Sequence, residues 1–175
     1  MNRRPWILFL LLLFMQVSVF NRIHWLGVLN PMVYAIVLLW LPLSWNRATS
    51  MLIGFAIGWW VDSSFQSGGL HAMASVWLMY IKPFWVKFTV SSVQLQDNPD
   101  PDLRDIEIRS LVSYAGGLLL MHHTLLYALE ALRWASLPAS IFKGSINTLL
   151  VSGLLWALIQ WTRSLDSRKL QENRF

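Results

Sequence analysis

A few ionisable side chains lie inside long apolar stretches. Burying a polar group in such a stretch is costly, so each of these side chains is a candidate for a structural or functional role. His122 and His123 lie near the middle of one stretch, and His123 shares a helix face with Tyr127 and Glu130. Such a face could bind a metal ion or relay a proton. The two histidines point about 100° apart on a helix, so they do not chelate one ion from one face. A hydrogen-bonded contact between helices is the alternative that we expect.

Asp62 closes another apolar stretch and follows Gly54 and Gly58 at four-residue spacing, so the three share one helix face. A Gly-x-x-x-Gly pair lets a second helix approach closely. Asp62 could therefore anchor a partner or a loop at the outer end of this helix. The alternative is a helix-end acid that is bonded to Ser63, Ser64 or nearby backbone N–H groups.

Gly68 and Gly69 follow Asp62 and permit a sharp turn into the next helix, which begins near His71. His71 could titrate, but a single histidine at a helix start is more often a polar contact. Neither Asp62 nor His71 belongs to a complete catalytic set. The sequence also lacks a P-loop, a Gly-x-Ser-x-Gly, a His-Glu-x-x-His and a pair of intramembrane aspartates. We therefore predict no catalytic residue, no metal and no cofactor.

A stripe of small residues marks the last apolar stretch, at strict four-residue spacing. It consists of Ser140, Gly144, Thr148 and Ser152. Small residues allow helices to pack closely where no hydrophobic driving force exists. The stripe could pack against another helix of this chain or against a partner helix.

Composition places these residues in a membrane protein. Hydrophobic residues make up 55% of the 175 residues and charged residues 13%, too few to coat a soluble particle of this size. Many of the eleven tryptophans lie at the ends of apolar runs, which suits the bilayer interface. Cysteine is absent, which excludes disulfides and thiolate metal sites. The length indicates a single domain, 1–175.

Six apolar stretches predict about six transmembrane helices, at 5–20, 31–45, 48–61, 70–85, 111–132 and 141–161. The last two match the length of about 20 residues that crosses the hydrocarbon core. The second and third are short and are separated only by Asn46 and Arg47, so we expect a tight hairpin there. One of that pair could instead be partly re-entrant. No small-x-small cleavage site follows the first stretch, which predicts a retained helix.

The basic residues predict that both termini are cytoplasmic. With an even number of crossings, eleven of the fourteen Lys and Arg residues lie inside, and only Arg22, Arg133 and Lys143 lie outside. The net charge of +5 is explained by this bias better than by nucleic-acid binding. Lys82 and Lys87 have long stems that can reach the head groups.

The longest polar segment, 91–110, is the predicted cytoplasmic loop. Five of the nine acids lie in its part 94–107. Asp100 could cap a short helix that begins at Pro101 and continues as an interfacial helix towards the fifth span. We expect the acidic part to be a solvated linker, and contact with a basic partner surface is the alternative.

The centre of the chain, 28–85, resembles the rod shape-determining MreD family. The matching features are Asn30-Pro31, Leu41-Pro42, the turn Asn46-Arg47, the helix that carries Gly54, Gly58 and Asp62, and the run Gly68-Gly69-Leu70-His71-Ala72. The second half resembles the family only in hydropathy. The acidic loop 94–107 and the His122-His123 pair depart from the family pattern.

This resemblance implies an all-α integral membrane protein of the bacterial inner membrane, similar in fold to the substrate-binding subunits of energy-coupling-factor transporters. It implies a non-enzymatic scaffold of the peptidoglycan elongation complex that maintains rod cell shape. The implied partners are MreC and, indirectly, MreB, a SEDS glycosyltransferase and a penicillin-binding transpeptidase, in contact with membrane lipid.

The rival hypothesis is a small-molecule or vitamin-binding transporter subunit. Its pocket would open to the outside and would be lined by Trp59, Trp60 and His71, because aromatic residues with a few polar groups suit a small ligand.

Overall fold

A computed structural model describes residues 5–23 and 28–172 of the chain, with side chains up to residue 165. Within these residues every regular element is helical, which confirms the predicted all-α fold. Arg3, Arg4 and Arg174, three of the basic residues used for the orientation, lie outside them. The helices are α1 (Trp6–Ser18), α2 (Tyr34–Trp40), α3 (Arg47–Phe65), α4 (Leu70–Thr89), α5 (Ser92–Asp97), α6 (Ile108–Ala131) and α7 (Leu137–Glu172).

Local signals in the sequence explain the limits of α3 and the start of α4. The side chain of Asn46 accepts a hydrogen bond from the backbone N–H of Thr49 at 2.7 Å and so caps α3. The helix ends at Phe65, and the next residue, Gln66, has a left-handed backbone with φ of 54°. Gly68 and Gly69 then take φ of 65° and 98°, which glycine adopts without strain. The turn brings α4 back antiparallel against α3.

The glycine face of α3 packs against α4. A Cβ atom on Gly58 would lie 2.5 Å from the Cα of Ala72, and one on Gly54 would lie 2.7 Å from the Cγ of Met79. Real Cβ atoms never approach other atoms so closely, so only glycine permits this spacing of the two backbones. The close approach that the Gly-x-x-x-Gly pattern predicts is therefore made inside the chain.

The small-residue stripe of α7 packs against α6 in the same way. A Cβ atom on Gly144 would lie 2.7 Å from the hydroxyl oxygen of Thr124. Ser140 and Thr148 are buried beside it. Ser152 is half-buried, and its hydroxyl has no hydrogen-bond partner among the described residues. The helices thus pack in the order α3, α4, α6, α7, with α1 and α2 against this row.

The second predicted span, 31–45, contains only the seven-residue helix α2. Seven residues rise about 10 Å, whereas the hydrocarbon core is about 30 Å thick. The expectation of a full crossing helix is therefore wrong for this stretch. Every residue of α2 is buried, and α1, α4 and α6 surround it. The short helix is therefore enclosed by the rest of the bundle.

Lys82 of α4 closes the carboxyl end of this short helix. Its ammonium group donates to the carbonyl oxygens of Leu38 at 2.9 Å and Leu41 at 2.6 Å. The side chain is only 1% exposed. The expectation that Lys82 reaches out to the head groups is wrong. The last carbonyls of α2 lack helical N–H partners, and the Lys82 ammonium donates to them instead.

The acidic loop also packs against the end of α2. Asp100 accepts hydrogen bonds from the N–H of Leu43 at 2.8 Å and the hydroxyl of Ser44 at 3.0 Å. Asp102 accepts from the indole N–H of Trp40 at 3.1 Å and pairs with Arg104 at 3.0 Å. The prediction of a solvated linker is wrong for these two acids.

The short helix predicted to begin at Pro101 is absent. Turns fill this region, and α6 begins at Ile108, after Glu107. Leu103 and Ile106 point into the core instead of along an interfacial helix face. The loop folds back because its apolar side chains and its acids both find partners beside α2.

Among the described residues, one helical stretch is both long and apolar enough to cross a membrane. It runs from Trp134 to Leu165, and a shorter apolar stretch runs from Trp6 to Arg22. The helices α3, α4 and α6 carry buried polar groups, which lower their hydropathy. Helix α7 itself has 36 residues and extends well past the predicted span 141–161.

We predict that Gly58→Ala destabilises the fold by roughly 1–3 kcal/mol, because the new methyl group overlaps the backbone of Ala72. Gly116→Ala is the matched control. It also lies inside a helix, but a Cβ atom there meets nothing within 4 Å. Replacing a helical glycine by alanine at such a position leaves stability unchanged or raises it by up to about 1 kcal/mol. Tryptophan fluorescence during unfolding in detergent compares the two, and equal effects would contradict the packing.

Candidate functional site

A line of buried polar side chains crosses the bundle from α3 to α7, passing through α4, α2 and α6. In spatial order its members are Asp62, His71, Tyr34, His122, His123 and Thr148. All six are buried. We call this line the polar chain.

Asp62 forms one end of the polar chain and caps α4. Its Oδ1 accepts from the backbone N–H of His71 at 3.0 Å, and its Oδ2 accepts from that of Ala72 at 2.8 Å. The hydroxyl of Ser67 donates to Oδ1 as well. Three donors favour the ionised carboxylate, and a negative charge suits a helix N-terminus. Asp62 therefore ties the end of α3 to the start of α4.

The expected local partners of Asp62 bond elsewhere. The hydroxyl of Ser63 donates to the carbonyl of Trp60 at 2.7 Å, and that of Ser64 donates to the carbonyl of Val61 at 2.8 Å. The interpretation of Asp62 as an acid satisfied by backbone N–H groups agrees with the structure. The N–H groups belong to the next helix, nine and ten residues away.

The ring of His71 continues the polar chain towards α2. Its Nδ1 lies 3.0 Å from the Oδ1 of Asp62. Phe65 stacks on the ring with centroids 4.8 Å apart, and Tyr34 meets it edge-on at 5.8 Å. The contact from His71 to Tyr34 is a ring contact and not a hydrogen bond.

Tyr34 joins three helices at the start of α2. Its hydroxyl lies 2.9 Å from the Nε2 of His122 on α6, and its backbone N–H donates to the Oε1 of Gln16 on α1 at 3.2 Å. Gln16 in turn donates to the side chain of Asn21 at 2.8 Å. Each hydrogen bond satisfies a polar group that lies in apolar surroundings, where an unpaired polar group is costly.

The far end of the polar chain lies between α6 and α7. The rings of His122 and His123 meet edge-on with centroids 5.7 Å apart. The Nδ1 of His123 lies 3.0 Å from the hydroxyl oxygen of Thr148. The two histidines therefore bond in different directions, one to α2 and one to α7, as the 100° separation requires.

The polar chain connects neighbouring helices through hydrogen bonds and ring contacts. Hydrogen bonds are interrupted at two ring contacts, so the polar chain is not a continuous proton wire. No group of three or more His, Asp or Glu side chains within the described part of the chain could hold a metal ion. The alternative of a hydrogen-bonded contact for the two histidines thus has the geometry in its favour.

The other members of the predicted His123 face lie apart from the polar chain. Tyr127 and Glu130 line a surface hollow of about 340 Å³ together with Lys143. The ammonium of Lys143 lies 5.9 Å from the centre of the Tyr127 ring. His123 turns instead to Thr148, so the three residues of the face do not form one site.

The glycine turn borders a second hollow, of about 270 Å³. Trp59, Asp62 and Gln66 line it with the two glycines and Ser63. Trp60 and His71, which the transporter hypothesis placed in an outer pocket, do not line it. Trp60 is exposed, and His71 is buried under Phe65. The expected pocket therefore has only Trp59 of its three predicted residues.

Sequence reasoning missed three residues that hold this region together. They are Gln16, Tyr34 and Asn147. The side chain of Asn147 accepts from the N–H of Asn30 at 2.9 Å and donates to the carbonyl of Val28 at 2.8 Å. Gln16 and Asn147 were detectable as polar residues inside apolar stretches.

Comparison of the chain with family models, with curated proteins and with solved structures finds no match. The family resemblance therefore rests on the motif residues, whose positions are now known. Gly54, Gly58, Asp62 and His71 meet along one contact between α3 and α4.

We predict that Tyr34→Phe lowers the free energy of unfolding by roughly 1–2 kcal/mol, because His122 loses a buried hydrogen-bond partner. Tyr80→Phe is the matched control, since Tyr80 is 43% exposed. Combining Tyr34→Phe with His122→Phe completes a double-mutant cycle in detergent. A coupling of about 0.5–2 kcal/mol is expected. Full additivity would show that the two side chains do not stabilise each other.

Proposed function

We propose that the chain is a polytopic protein whose whole helical bundle is embedded in a bilayer. The distribution of side chains supports this proposal, because large apolar side chains cover the outside while several ionisable groups lie within the apolar core. Charged and imidazole side chains lie in the interior, among them Lys82, Asp62 and His122. Large apolar side chains cover the outside, including Phe14, Leu52, Phe55, Trp59, Trp60, Trp77, Phe84, Phe88, Leu120, Phe142, Leu149 and Trp156. Water makes such a surface prone to association, whereas lipid solvates it.

The spacing of charges along α6 and α7 supports the same proposal. Helix α6 has no charged residue between Arg109 and Glu130, and α7 has none between Lys143 and Arg163. Each interval holds about 20 residues, enough for the hydrocarbon core of about 30 Å. The two helices pack antiparallel, so their charges fall at two common levels. These levels correspond to the two head-group regions.

We predict that cysteine labelling reports the loop 91–110 on the cytoplasmic side and the turns after α3 and α6 on the outer side, as the proposed orientation requires. The chain has no cysteine, so each introduced thiol is the only one. Ser63→Cys and Ala135→Cys should react with a membrane-impermeant maleimide in spheroplasts. Gln96→Cys should react only after lysis, and all three positions are exposed in the structure. Labelling of Gln96→Cys without lysis would contradict the orientation.

Within the membrane, the proposed role is a scaffold of the peptidoglycan elongation complex that holds MreC. MreB, a SEDS glycosyltransferase and a penicillin-binding transpeptidase would then associate through MreC. The observation that carries this proposal is the α3–α4 hairpin. The residues that resemble the MreD family, Gly54, Gly58, Asp62 and His71, all serve to build this one packed unit. A rigid hairpin with an exposed aromatic side suits a protein that positions another membrane helix.

The partner cannot use the glycine face of α3, because α4 occupies it. The earlier idea that this face binds a partner is therefore set aside. We place the partner on the exposed side of α3 next to this face, which carries Leu52, Phe55 and Trp59. The rings of Phe55 and Trp59 stack with centroids 5.9 Å apart and form a continuous ridge.

We predict that the double variant Phe55→Ala, Trp59→Ala reduces recovery of MreC in gentle-detergent purification by roughly tenfold, equivalent to about 1.4 kcal/mol. The substitutions remove ring contacts and leave the buried face of α3 intact. Leu149→Ala with Trp156→Ala on α7 is the matched control, since both side chains are exposed there. Mass spectrometry of the native purification decides the outcome. Absence of MreC and cell-wall synthases from the wild-type sample would overturn the scaffold proposal.

The transporter subunit stays as the alternative, favoured by the hollow beside Trp59, Asp62 and Gln66. Its volume of about 270 Å³ lies below the range of roughly 300–1,000 Å³ of typical ligand pockets. The same purification tests this role. Recovery of a transporter ATPase with its coupling protein would support a carrier over a scaffold.

A further inference from the structure

We propose that a cavity between the α2–α3 connection and α4 binds a phosphate group, carried by an anionic phospholipid or free in solution. The inference rests on the proposed membrane embedding. The cavity has a volume of about 180 Å³. Its walls include Pro42, Trp45, Arg47, Ser50, Lys82 and Pro83. None of these residues belongs to the polar chain.

The cavity lies beside two prolines, one after the end of α2 and one inside the continuous helix α4. Pro42 follows the last turn of α2 and cannot continue a helix. Pro83 lies inside α4 and has no N–H to donate to the carbonyl four residues earlier, at Met79. Backbone carbonyls without a helical N–H partner are therefore left close to the walls of this cavity.

The charge of the cavity walls favours an anion. The residues that line it include two cations, Arg47 and Lys82, and no acid, and Asp100, which accepts from the N–H of the lining residue Leu43, leaves a net charge of one positive unit around the cavity. The ammonium of Lys82 is held in place by the carbonyls of Leu38 and Leu41. A cation fixed in a medium of low dielectric constant attracts an anion more strongly than one in water. The ammonium is therefore a fixed cation at the inner wall of the cavity, with part of its charge offset by these two carbonyls.

Arg47 and Ser50 supply the groups that can grip a phosphate. The Arg47 side chain is exposed, and its guanidinium lies 4.8 Å from the centre of the Phe84 ring and 5.3 Å from that of Tyr80. A guanidinium matches two phosphate oxygens at once. Ser50 is buried one helical turn further along α3 and adds a hydroxyl.

The surroundings of the cavity favour a lipid as the source of the phosphate. Trp45 stacks on Trp6 with ring centroids 6.2 Å apart, an arrangement suited to the head-group region. Arg47 begins α3, at the end of that helix which the proposed orientation places on the cytoplasmic side. Phe84 and Phe88 leave an exposed apolar track on α4 along which an acyl chain can lie. The cavity is too small for a drug-sized ligand but admits a head group.

Native mass spectrometry of the delipidated full-length protein tests the proposal. The probes are dioleoyl-phosphatidylglycerol and dioleoyl-phosphatidylcholine, which share acyl chains and a phosphate but differ in net charge. We expect the anionic lipid to bind at least fivefold more tightly. Arg47→Gln should remove most of this preference, and Lys87→Gln should keep it, because Lys87 is exposed on α4 but does not line the cavity.

A second variant keeps the test independent of folding. Loss of Lys82 would also uncap α2, so Ser50→Ala is used, which changes no charge. We expect Ser50→Ala to weaken binding of the anionic lipid by roughly threefold, because the phosphate loses one hydrogen-bond donor.

The outcomes separate the possible sources and the two proposals. If inorganic phosphate displaces the lipid and binds alone, the cavity is a phosphate site served from solution. Equal binding of both lipids and of phosphate in wild type and Arg47→Gln would overturn the inference. An equal loss in Lys87→Gln would do the same, since it would indicate a diffuse charge effect. MreC recovery is measured separately, so a lipid result of either kind leaves the scaffold proposal to its own test.

Discussion

The architecture depends on ending a helix inside the bundle. Helix α2 stops after seven residues in the protein interior, where its last carbonyls meet neither helical partners nor water. The ammonium of Lys82 satisfies two of them from α4. The indole of Trp40, at the same end, is held by Asp102 of the loop before α6. The position of α2 therefore fixes where α4 and the acidic loop must lie.

Elsewhere in the bundle, buried polar side chains also hydrogen-bond one helix to another. Asp62 ties α3 to α4, Tyr34 ties α2 to α1 and α6, and His123 ties α6 to α7. In a lipid environment apolar surface gains little by leaving the solvent, so glycine contacts and hydrogen bonds must hold helices together. The polar chain and the glycine face of α3 supply both.

The sequence was sufficient for the helical class and for the sharp glycine turn into α4, because these depend on local spacing and turn residues. The tight hairpin expected at Asn46-Arg47 is not formed, since α2 already ends at Trp40 and α3 begins only at Arg47. The sequence was insufficient for α2, since a buried segment and a crossing segment are equally apolar. The roles of Lys82 and Asp102 were also missed. Their partners lie 41 to 62 residues away in the chain, and no periodic pattern encodes such pairs. The acidic loop was wrongly predicted to be a solvated linker, because its amino-acid composition is that of a linker.

The length of α7 has a mechanical consequence. Its 36 residues extend about 54 Å, and a hydrocarbon core of about 30 Å accounts for little more than half of that. The remaining turns form a stiff stalk, continuous with the part that packs on α6 around Gly144. A continuous helix transmits torsion without a hinge. In the proposed embedding, a small rotation of α7 against α6 would therefore turn the far end of the stalk by the same angle and carry a change in helix packing along the whole helix.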